Sequence, residues 1–395
     1  MKIVEINATP YGSTGKIMRQ ISKIAESNGN EVFLFTKKWR NSNIKMNNHF
    51  YIGNYLENII ARIFCPVFGI EGKFTYFSTK LLIKRLKKIN PDVIHLHNIH
   101  GWYLNFGILF NYIKKSNCKV IWTLHDCWSF TGHCPNFETI NCYKWKEGCF
   151  NCRQLDCYPN VKIDNTKKMW IKKKEWFTGV KNLIIVTPSI WLSRLVKKSY
   201  LLDYPTRVIN NGIDLNVFKP NNNGYFKINK RILLGVAFSW GYKKGLDVML
   251  ELSKIIDSNI YQIVLIGTDD NIDKTLPNNI ISIHRTNSQK ELAEIYSSAF
   301  VLINPTREDN YPTVNMEAIA CGTPVITFNT GGSPEMLTAK TGIVTKEKTA
   351  QSILKELDNV EKINREDCVK AAKRFDMNEK FNEYIKLYKE VMEKN

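Results

Sequence analysis

The stretch that decides the fold is VLINPTREDNYPTVNMEAIACGTPVITF, which runs from Val301 to Phe328. Its apolar start predicts a buried strand at Phe300–Asn304. An acidic loop follows, and the next apolar residues have the spacing of a helix around Thr313–Cys321. A second apolar run at Pro324–Phe328 predicts the next strand. A strand, a helix and a strand in this order are typical of a parallel sheet in an α/β domain.

The same alternation of short apolar runs and amphipathic stretches occupies both halves of the 395-residue chain. In the first half we predict strands at Lys2–Asn7, Glu31–Phe35, Asp92–His97, Lys119–Leu124 and Leu183–Pro188, and helices at Thr14–Ser27, Thr79–Ile89 and Ser189–Tyr200. In the second half we predict strands at Arg231–Ala237 and Gln262–Gly267 and helices at Leu246–Ile256 and Gln289–Ser298, before the quoted stretch. The fold class is therefore predicted to be α/β, with two doubly wound parallel sheets.

A polar segment between the two halves marks the predicted domain boundary. Residues 216–229 contain Pro220, three consecutive asparagines and Gly224, a composition typical of an interdomain linker. We therefore predict an N-terminal domain at 1–215 and a C-terminal domain at 230–374. A final helix at 375–395 is expected to pack back on the N-terminal domain.

The chain carries a large surplus of positive charge. It has 56 lysines and arginines against 37 acidic residues, which gives a formal net charge of +19. Such a surplus attracts nucleic acid, an anionic membrane surface or a phosphorylated substrate, although low-GC codon usage would produce it as well. Because the basic residues are scattered and no RNA-binding motif is present, we expect no nucleic-acid partner.

The apolar runs are too short for a membrane span, which needs about 20 residues. The N-terminus, MKIVEIN, is interrupted by Glu5 and Asn7 and does not have the core of a signal peptide. We therefore expect a cytoplasmic protein in which structural disulfides are disfavoured. Two basic segments, Leu81–Lys88 and Lys167–Lys174, could rest on anionic lipid at the inner face of the cell membrane.

A glycine-rich turn follows the first strand of each domain. PYGSTGK at 10–16 opens a helix, and its Gly12 and Gly15 would let the backbone approach a phosphate, although a plain strand-to-helix turn could use the same residues. GVAFSWGYKKG at 235–245 carries Ser239 and Lys244, and a cation on such a turn suits a diphosphate. A solvated lysine pair in a loop is the alternative there.

The acidic loop of the quoted stretch offers carboxylates beside the start of a helix. Asp309 and Glu317 lie eight positions apart, and the amide groups of Thr313 and Val314 begin the predicted helix. Carboxylates suit sugar and ribose hydroxyls because each oxygen accepts strong, charge-assisted hydrogen bonds. A further tight turn, GGSPE at 331–335, follows the next strand.

These motifs resemble the donor-site signature of the retaining glycosyltransferase family 4, which has the GT-B fold of two Rossmann-like domains facing a central cleft. That family has a Glu-x7-Glu motif before a Gly-x-Pro-Val segment, here Gly322–Val325, and a Gly-Gly-x-x-Glu turn, here Gly331–Glu335. The resemblance extends to the interdomain segment Asn211–Pro220, and to His95-x-His97 and Thr123–Asp126 in the first domain.

The resemblance implies roles for individual residues. The catalytic residues would be His125 beside the reacting carbon, Asp309 on the hydroxyls of the transferred sugar and Glu317 on the donor ribose. Donor binding would also involve Gly12, Gly15, Ser239, Lys244, Thr313 and Val314, with Lys244 on the diphosphate. No cofactor is expected for catalysis, since lysine and helix-terminus electrostatics would stabilise the leaving diphosphate.

The sequence departs from the family pattern at two positions. The first carboxylate of the signature is usually Glu, but the eight-residue spacing falls on Asp309 here, and Glu308 fits only with a shifted register. An Arg usually precedes the Lys of the second-domain turn, where this chain has Phe238-Ser239. Lys243 or Arg307 could supply the missing phosphate contact.

A histidine in this fold has either a functional role or a purely structural one. His95 and His97 flank Leu96 on a predicted strand, and for both we favour the interpretation of a hydrogen-bonded structural group. His125, followed by Asp126, comes at the end of a strand, where the sites of α/β folds lie, and we favour a functional role for it.

Six of the ten cysteines fall in an insertion at about 127–157. Cys149-x2-Cys152 has the spacing of half a metal site, and Cys134 with Cys142 would complete a tetrahedral set for structural zinc. Redox-active free thiols and disulfides are the alternatives. A zinc ion here would fix a loop beside His125 and would shape the acceptor side.

The predicted reaction moves a sugar from a UDP- or GDP-sugar donor to a hydroxyl acceptor and retains the anomeric configuration. The acceptor is expected to be a saccharide or a lipid-linked saccharide in surface polysaccharide synthesis. A sugar-nucleotide epimerase or a phosphorylase of the same fold is the first alternative. A basic nucleic-acid-binding protein is a remote one.

Overall fold

The computed structural model describes residues 1–37, 47–221 and 223–393. They form two compact units: Met1–Ile209 with the segment from Phe381 onward, and Asn210–Lys380. The first unit ends at Ile209 rather than at 215. The predicted linker at 216–229 groups with the second unit. Residue 222 of this linker and residues 394 and 395 of the predicted last helix lie outside the described residues.

The first unit is built on a sheet of parallel strands. In the described part of the chain these are β1 Lys2–Asn7, β2 Glu31–Lys37, β3 His49–Ile52, β4 Val93–Leu96, β5 Lys119–Thr123, β6 Leu183–Thr187 and β7 Thr206–Val208. Their order across the sheet is β3-β2-β1-β4-β5-β6-β7. From β1 the chain adds β2 and β3 on one side of the sheet and β4 to β7 on the other, so the strand order reverses between β1 and β4. In open α/β sheets, ligands bind at such a point, beyond the carboxyl ends of the strands.

The helices of the first unit connect these parallel strands. They are α1 Gly12–Ser27, α2 Tyr55–Phe68, α3 Tyr76–Ile89, α4 Phe106–Lys115, α5 Thr166–Phe177 and α6 Ile190–Val196. Parallel strands buried on both faces are usually apolar throughout. In β1 the residues Ile3, Val4 and Ile6 are buried as expected, but so are the polar Glu5 and Asn7. A central strand with buried polar groups points to a site at its end.

The second unit repeats the architecture. Its described strands are β8 Arg231–Val236, β9 Tyr261–Ile266, β10 Ile280–Ile283, β11 Val301–Asn304, β12 Val325–Phe328 and β13 Gly342–Thr345, in the order β10-β9-β8-β11-β12-β13. Its helices are α7 Leu246–Ile255, α8 Asp270–Asp273, α9 Gln289–Ser298, α10 Thr313–Ala320, α11 Ala350–Val360 and α12 Arg365–Ala372. The strand order reverses between β8 and β11. The predicted fold class of two parallel α/β sheets is confirmed.

The last helix, α13 Met377–Glu393, begins in the second unit, and its residues from Phe381 onward group with the first. Its Tyr384 and Tyr388 are buried. Among the described residues, no helix combines the length and the apolar character needed to cross a membrane.

Candidate active site

Two loops of the second unit meet at the point where its strand order reverses. The loop after β8 contains Ser239 and Lys244, and the loop after β11 contains Asp309. Because β8 and β11 are paired and parallel, their carboxyl ends lie side by side and bring the two loops together. The site predicted from the quoted stretch therefore includes residues from a segment 65 positions earlier, as the Lys244–Asp309 contact shows.

Three consecutive residues of the β11 loop pair with charged residues that follow β8. Arg307 binds both carboxylate oxygens of Asp247, at 2.8 and 2.7 Å. Glu308 Oε2 lies 2.7 Å from Lys243 Nζ. Asp309 Oδ2 accepts a hydrogen bond of 2.6 Å from Lys244 Nζ. These pairs fix the acidic loop against the glycine-rich turn.

The two neighbouring carboxylates differ in accessibility. The side chain of Glu308 is only 2% exposed, whereas that of Asp309 is 23% exposed. A ligand can therefore reach Asp309 and the Lys244 ammonium beside it more easily than Glu308. This difference favours Asp309 as the first acidic residue of the site.

The two residues considered as substitutes for the missing Arg already have partners. Arg307 Nη1 also donates to the Tyr242 carbonyl oxygen at 2.7 Å, and its guanidinium lies 4.1 Å from the centre of the Tyr242 ring. Lys243 is paired with Glu308. Arg307 thus anchors the loop and would have to release Asp247 to reach a phosphate.

Glu317 lies on α10, and a tyrosine orients it. The Tyr296 hydroxyl, on α9, donates a hydrogen bond of 3.0 Å to Glu317 Oε2. Tyr296 is fully buried. Burial, with Glu317 beside it, raises the pKa of Tyr296 well above its usual value, so the hydroxyl remains a donor. The sequence did not single out Tyr296, since nothing in a helical pattern marks a tyrosine that will face a carboxylate.

The start of α10 offers amide groups to an anion. The residue before the helix is Pro312, and no side chain caps the helix. The first amide groups of a helix, here those of Thr313 and Val314, have no partner within the helix. They carry the positive end of the helix dipole, and a diphosphate is a suitable ligand for them.

The glycine turn at 331–332 packs on the acidic loop. Gly331 has a φ of +54°, and a Cβ there would overlap the Asp309 carbonyl oxygen. The Gly332 N–H donates to the Asn310 carbonyl oxygen at 2.9 Å. The turn therefore requires glycine for both backbone conformation and space, and it supports the backbone that carries Asp309.

Ser239 is exposed on the β8 loop, next to Phe238, whose side chain is 94% exposed. Trp240 turns inward instead, where its indole N–H donates to the Ile266 carbonyl oxygen at 2.8 Å. Phe238 occupies the place where the family signature has an arginine. The sequence pattern does not mark Phe238 as an exposed aromatic ring, because neither its neighbours nor its spacing distinguishes it from a buried one.

The first-unit loop between β1 and α1 is held by Asn7. The Asn7 amide donates to the Thr9 carbonyl oxygen at 2.8 Å, and its own oxygen accepts from the Asn98 N–H at 3.0 Å. Gly12 has a φ of +68° with open space around it. A Cβ at Gly15 would overlap the Pro10 carbonyl group. The loop can thus approach a ligand closely at Gly12, and it needs glycine at 15 for packing.

His125 ends a chain of hydrogen-bonded groups that begins inside β1. His97 Nδ1 lies 3.2 Å from His125 Nε2, and His97 Nε2 lies 3.3 Å from Glu5 Oε2. Burial lowers the pKa of both His97 and His125 to about 3. Burial also raises the pKa of Glu5 well above its usual value. Both histidines are therefore uncharged at neutral pH, and His125 presents a neutral imidazole.

His95 is tied to the last helix. Its Nδ1 lies 2.7 Å from the Tyr388 hydroxyl, and its Nε2 lies 2.8 Å from the Thr123 hydroxyl. Glu5, His95 and His97 bring possible metal-ligating atoms within 4.8 Å of one another. Because both ring nitrogens of each histidine already have polar partners, the hydrogen-bond network accounts for this buried group without a metal.

The cysteine insertion follows directly after Asp126. Asp126 Oδ2 lies 3.1 Å from His100 Nε2, and Asp126 Oδ1 accepts from the Trp128 N–H at 2.9 Å. Lys173, on α5, donates to the Trp128 carbonyl oxygen at 2.8 Å and is fully buried. The expectation that all of Lys167–Lys174 could rest on lipid is therefore wrong for Lys173, since this ammonium group braces the insertion.

The four cysteines predicted as zinc ligands surround one cavity, although their sulfur atoms are not in close contact. Cys134, Cys142, Cys149 and Cys152 line one cavity of about 180 Å³, whose wall does not include the other cysteines of the insertion, Cys127 and Cys157. The structure therefore groups the four thiols that the spacing selected.

Two family models match this chain in consecutive segments. Residues 15–217 match the model described as Glycosyltransferase Family 4. Residues 219–375 match the model described as Glycosyl transferases group 1. Together they include His125 and the cysteine insertion of the first unit and the β8 and β11 loops of the second, whereas most of the loop between β1 and α1 lies before residue 15.

Individual relatives agree with these models. The chain is 26% identical over 277 residues to a putative colanic acid biosynthesis glycosyl transferase, WcaC, of Escherichia coli K12, a match that covers 67% of this chain and 66% of that protein. The structure of sucrose-phosphate synthase from Thermosynechococcus elongatus superposes with a TM-score of 0.72 at 16% identity over 100% of both chains. Anabaena HepE in complex with UDP has a TM-score of 0.63 at 11% identity, over 99% of this chain and 100% of that one.

Proposed function

Because this chain belongs to glycosyltransferase family 4, we propose that it transfers a sugar from a nucleotide-diphosphate donor to a hydroxyl acceptor with retention of the anomeric configuration. The observation that carries this proposal is the ion pair of Lys244 and Asp309 beside the uncapped start of α10. A cation, a carboxylate and free amide groups at one point suit a ligand that joins a diphosphate to a sugar.

In this proposal the diphosphate is held by Lys244 and by the amide groups of Thr313 and Val314. These groups stabilise the negative charge that develops as the bond between the anomeric carbon and the phosphate oxygen breaks. Ser239, on the β8 loop of the same unit, would be a further donor contact. UDP is the favoured carrier because HepE, of similar fold, was obtained in complex with UDP, and GDP is the alternative.

The carboxylates bind the hydroxyl groups of the donor. Asp309 would accept hydrogen bonds from the transferred sugar, and Glu317, oriented by Tyr296, would bind the ribose. The acceptor oxygen then bonds to the anomeric carbon on the face that the phosphate leaves, and the acceptor proton passes to the departing phosphate oxygen. His125, neutral because its pKa is lowered to about 3 by burial, would hold a sugar or acceptor hydroxyl without adding charge.

The test is a panel of UDP- and GDP-sugars, with and without saccharide or lipid-linked saccharide acceptors, in which nucleoside diphosphate release and product stereochemistry are measured. We expect release with one donor class, a rise when the acceptor is present, and a retained anomer. Donor conversion to an isomer without an acceptor would indicate an epimerase. Release that depends on inorganic phosphate and on a pyridoxal Schiff base would indicate a phosphorylase.

The choice between the two acidic residues is tested with paired variants. Asp309→Asn should lower kcat at least about 100-fold, since a contact made in the transition state is lost. Glu308→Gln should have a smaller effect, because Glu308 is buried against Lys243. If the two effects are reversed, Glu308 is the first acidic residue of the signature and Asp309 only neutralises Lys244.

The acceptor is proposed to be a lipid-linked saccharide, because the first unit exposes an apolar and basic surface that suits an anionic bilayer. We call it the α2–α3 face. Its exposed apolar side chains are Tyr55, Leu56, Ile59, Ile60, Ile63, Phe64 and Phe68 on α2, and Tyr76, Phe77 and Leu81 on α3. Monomeric proteins seldom expose so many contiguous apolar groups without a partner.

The charges of the α2–α3 face point to an anionic bilayer. Its exposed basic residues are Arg62, Lys73, Lys80, Lys84, Lys87 and Lys88, whereas both acidic residues between 54 and 90, Glu57 and Glu71, are buried. The Glu57 carboxylate accepts hydrogen bonds from the N–H groups of Phe77 and Ser78, at 2.6 and 2.8 Å, and so joins the two helices. Exposed apolar side chains together with exposed basic ones fit the interface of an anionic membrane.

Vesicle flotation tests this surface. The full chain should float with vesicles that contain phosphatidylglycerol and much less with phosphatidylcholine alone, and high salt should weaken binding. Ile63→Glu with Phe64→Glu should reduce binding at least about tenfold, because two charges would enter the acyl boundary. The matched control Leu202→Glu, at another exposed leucine of the same unit, should bind as the wild type does. Equal binding of both variants would contradict the membrane proposal and leave sugar transfer untouched.

A further inference from the structure

The cysteine insertion of the first unit has the chemistry of a metal site. Cys134, Cys142, Cys149 and Cys152 line one cavity, and the cavity wall includes neither Cys127 nor Cys157 from the same insertion. We propose that this cavity binds one structural zinc ion through the thiolates of these four cysteines. Zinc prefers four sulfur ligands in tetrahedral geometry at structural sites.

Backbone amide groups already point at two of the sulfur atoms. The Gly132 N–H lies 3.1 Å from Cys149 Sγ, and the Gln154 N–H lies 3.4 Å from Cys152 Sγ. Such hydrogen bonds orient ligands and offset the negative charge of thiolates around a metal. A Cβ at Gly132 would collide with the Thr166 carbonyl oxygen and with Cys149, so glycine is required for the backbone to approach the sulfur.

Lys144 lines the cavity, and Lys173 interacts electrostatically with Cys134 and Cys149, so these two side chains would help to balance the charge of the site. A zinc ion with four thiolates carries a net charge of −2, since binding releases four thiol protons to solvent. Lys144, in the cavity wall, donates to the carbonyl oxygens of Phe150 and Asn151, both at 3.0 Å. Lys173 donates to the Thr131 carbonyl oxygen at 3.2 Å. Both ammonium groups are held by backbone and have no carboxylate among these partners.

The sulfur atoms of these four cysteines are spread, since no three of them lie within 4.8 Å of one another. Groups of three or more possible ligand atoms within 4.8 Å of one another occur elsewhere in the described residues, at Glu5–His95–His97 and at Asp270–Asp273–His284. Zinc bonds of about 2.3 Å require sulfur atoms about 3.8 Å apart. Binding therefore draws the four side chains inward by rotation about their Cα–Cβ bonds.

A zinc ion at this position would hold the loop that follows His125. Asp126 accepts a hydrogen bond from the Trp128 N–H, and Lys173 joins the carbonyl oxygens of Trp128 and Thr131. Thr131 in turn donates to the Cys134 carbonyl oxygen at 2.6 Å. A few covalent and hydrogen bonds thus connect the metal to the segment His125–Asp126. The metal would support this segment and would take no part in the reaction.

The first test is metal content. The full chain purified from zinc-supplemented medium should contain close to one zinc per chain by mass spectrometry, because tetrathiolate sites bind zinc tightly. The double variant Cys142→Ser with Cys152→Ser should lose it. Cys157→Ser, in the same insertion but outside the cavity wall, should keep it. Less than about 0.2 equivalents in the wild type, or equal loss in the Cys157 variant, overturns the proposal.

Cobalt substitution keeps the test valid if the double variant does not fold. The wild-type chain, stripped with a chelator and reconstituted with Co²⁺, should show thiolate-to-cobalt charge transfer in the near ultraviolet and the visible bands of a tetrahedral ion. The absence of these bands would contradict zinc binding. So would an intact-protein mass that is lower than expected by two hydrogen atoms for each pair of cysteines, because it would reveal disulfides. None of these readouts depends on sugar transfer, so they remain informative if the proposed reaction is wrong.

Discussion

Lys244 Nζ lies 2.6 Å from Asp309 Oδ2, and this contact closes the two loops that end β8 and β11. Both side chains are partly exposed, at 35% and 23%, so the pair faces solvent and a ligand can approach it. An ion pair of this kind contributes little stability, about 0–1 kcal/mol. Its importance is that it holds a cation and an anion at a fixed separation that a diphosphate sugar can bridge.

Lys244→Ala should impair donor use far more than it impairs folding. Removing the ammonium group takes away the charge that faces the diphosphate, so kcat/KM for the donor should fall about 100-fold or more. The thermal midpoint should change by less than about 2 °C, since the pair is exposed. Steady-state kinetics and calorimetry on the same preparations measure both.

Lys243→Ala provides the comparison for that variant. It removes an equal charge from the adjacent position, where the ammonium group pairs with the buried Glu308. Loss of this partner leaves the buried Glu308 carboxylate without its ion pair, so the thermal midpoint should fall. Donor kcat/KM should change less than tenfold. A larger kinetic effect at Lys243 than at Lys244 would reverse the assignment of the diphosphate contact.

Tyr296→Phe tests how Glu317 is positioned. The variant deletes the hydroxyl that donates to Glu317 Oε2 at 3.0 Å, and the carboxylate then loses its fixed orientation. We expect the donor KM to rise about three- to tenfold, in line with the loss of about 1 kcal/mol for one hydrogen bond. Glu317→Gln should abolish transfer with the fold intact, and the double variant should bind the donor as weakly as Glu317→Gln does alone. Additive losses of donor affinity would mean that Tyr296 contacts substrate independently.

The sequence predicted the ends of nine strands to within two residues, because a buried parallel strand is a short apolar run with sharp limits, but it did not predict β3, β7, β10 or β13. β1 was predicted at Lys2–Asn7 and has those bounds. The acidic loop and the helix at Thr313 followed from the same pattern. The pairs of the site could not be predicted residue by residue, since Lys244 and Arg307 find their partners 65 and 60 positions away.

The burial of polar groups could not be predicted from the sequence either. Glu5 served only as evidence against a signal peptide, yet it lies under His97 in the centre of the first sheet. No periodicity marks a carboxyl group inside a strand as a partner for histidine. The helix α2 is the opposite case, because its apolar sequence suggests burial and the fold leaves Leu56, Ile63 and Phe64 exposed.

Gly331→Ala should damage the donor site through the backbone. A Cβ at this position meets the Asp309 carbonyl oxygen, and the φ of +54° is unfavourable for alanine. The acidic loop must move to make room. We expect a stability loss of about 2–4 kcal/mol, made up of backbone strain and overlap, together with a rise in donor KM.

Gly224→Ala separates the effect of backbone strain at a positive φ from the effect of steric overlap with a neighbouring atom. Gly224 has a similar φ of +62°, but nothing lies within 4 Å of an added Cβ. This control should cost only about 1 kcal/mol, with unchanged donor kinetics. The two variants are compared by calorimetry and by donor titration. If Gly224→Ala were as harmful as Gly331→Ala, the close approach of the glycine turn to Asp309 would not explain the effect.

Mild acid should destabilise the first unit, because its buried His95, His97 and His125 are held neutral in the folded state. Burial lowers the pKa of His97 and His125 to about 3 and that of His95 well below its usual value. In the unfolded chain these groups titrate near 6.5. The stability they contribute is therefore complete above about pH 6.5 and is lost as the pH falls toward 3. Glu5 acts in the opposite sense, since its raised pKa favours the folded state at low pH.

The histidines outnumber Glu5, so the thermal midpoint of the first unit should fall between pH 7.5 and 5.5. His97→Gln removes one such group and should flatten this dependence, since a histidine kept neutral costs up to about 1.4 kcal/mol for each pH unit below 6.5. His284→Gln is the control. His284 is exposed, and the hydrogen bond with Asp273 raises its pKa, so its loss should not flatten the curve. A His97 variant with the wild-type pH dependence would mean that this histidine also takes up a proton in the folded state.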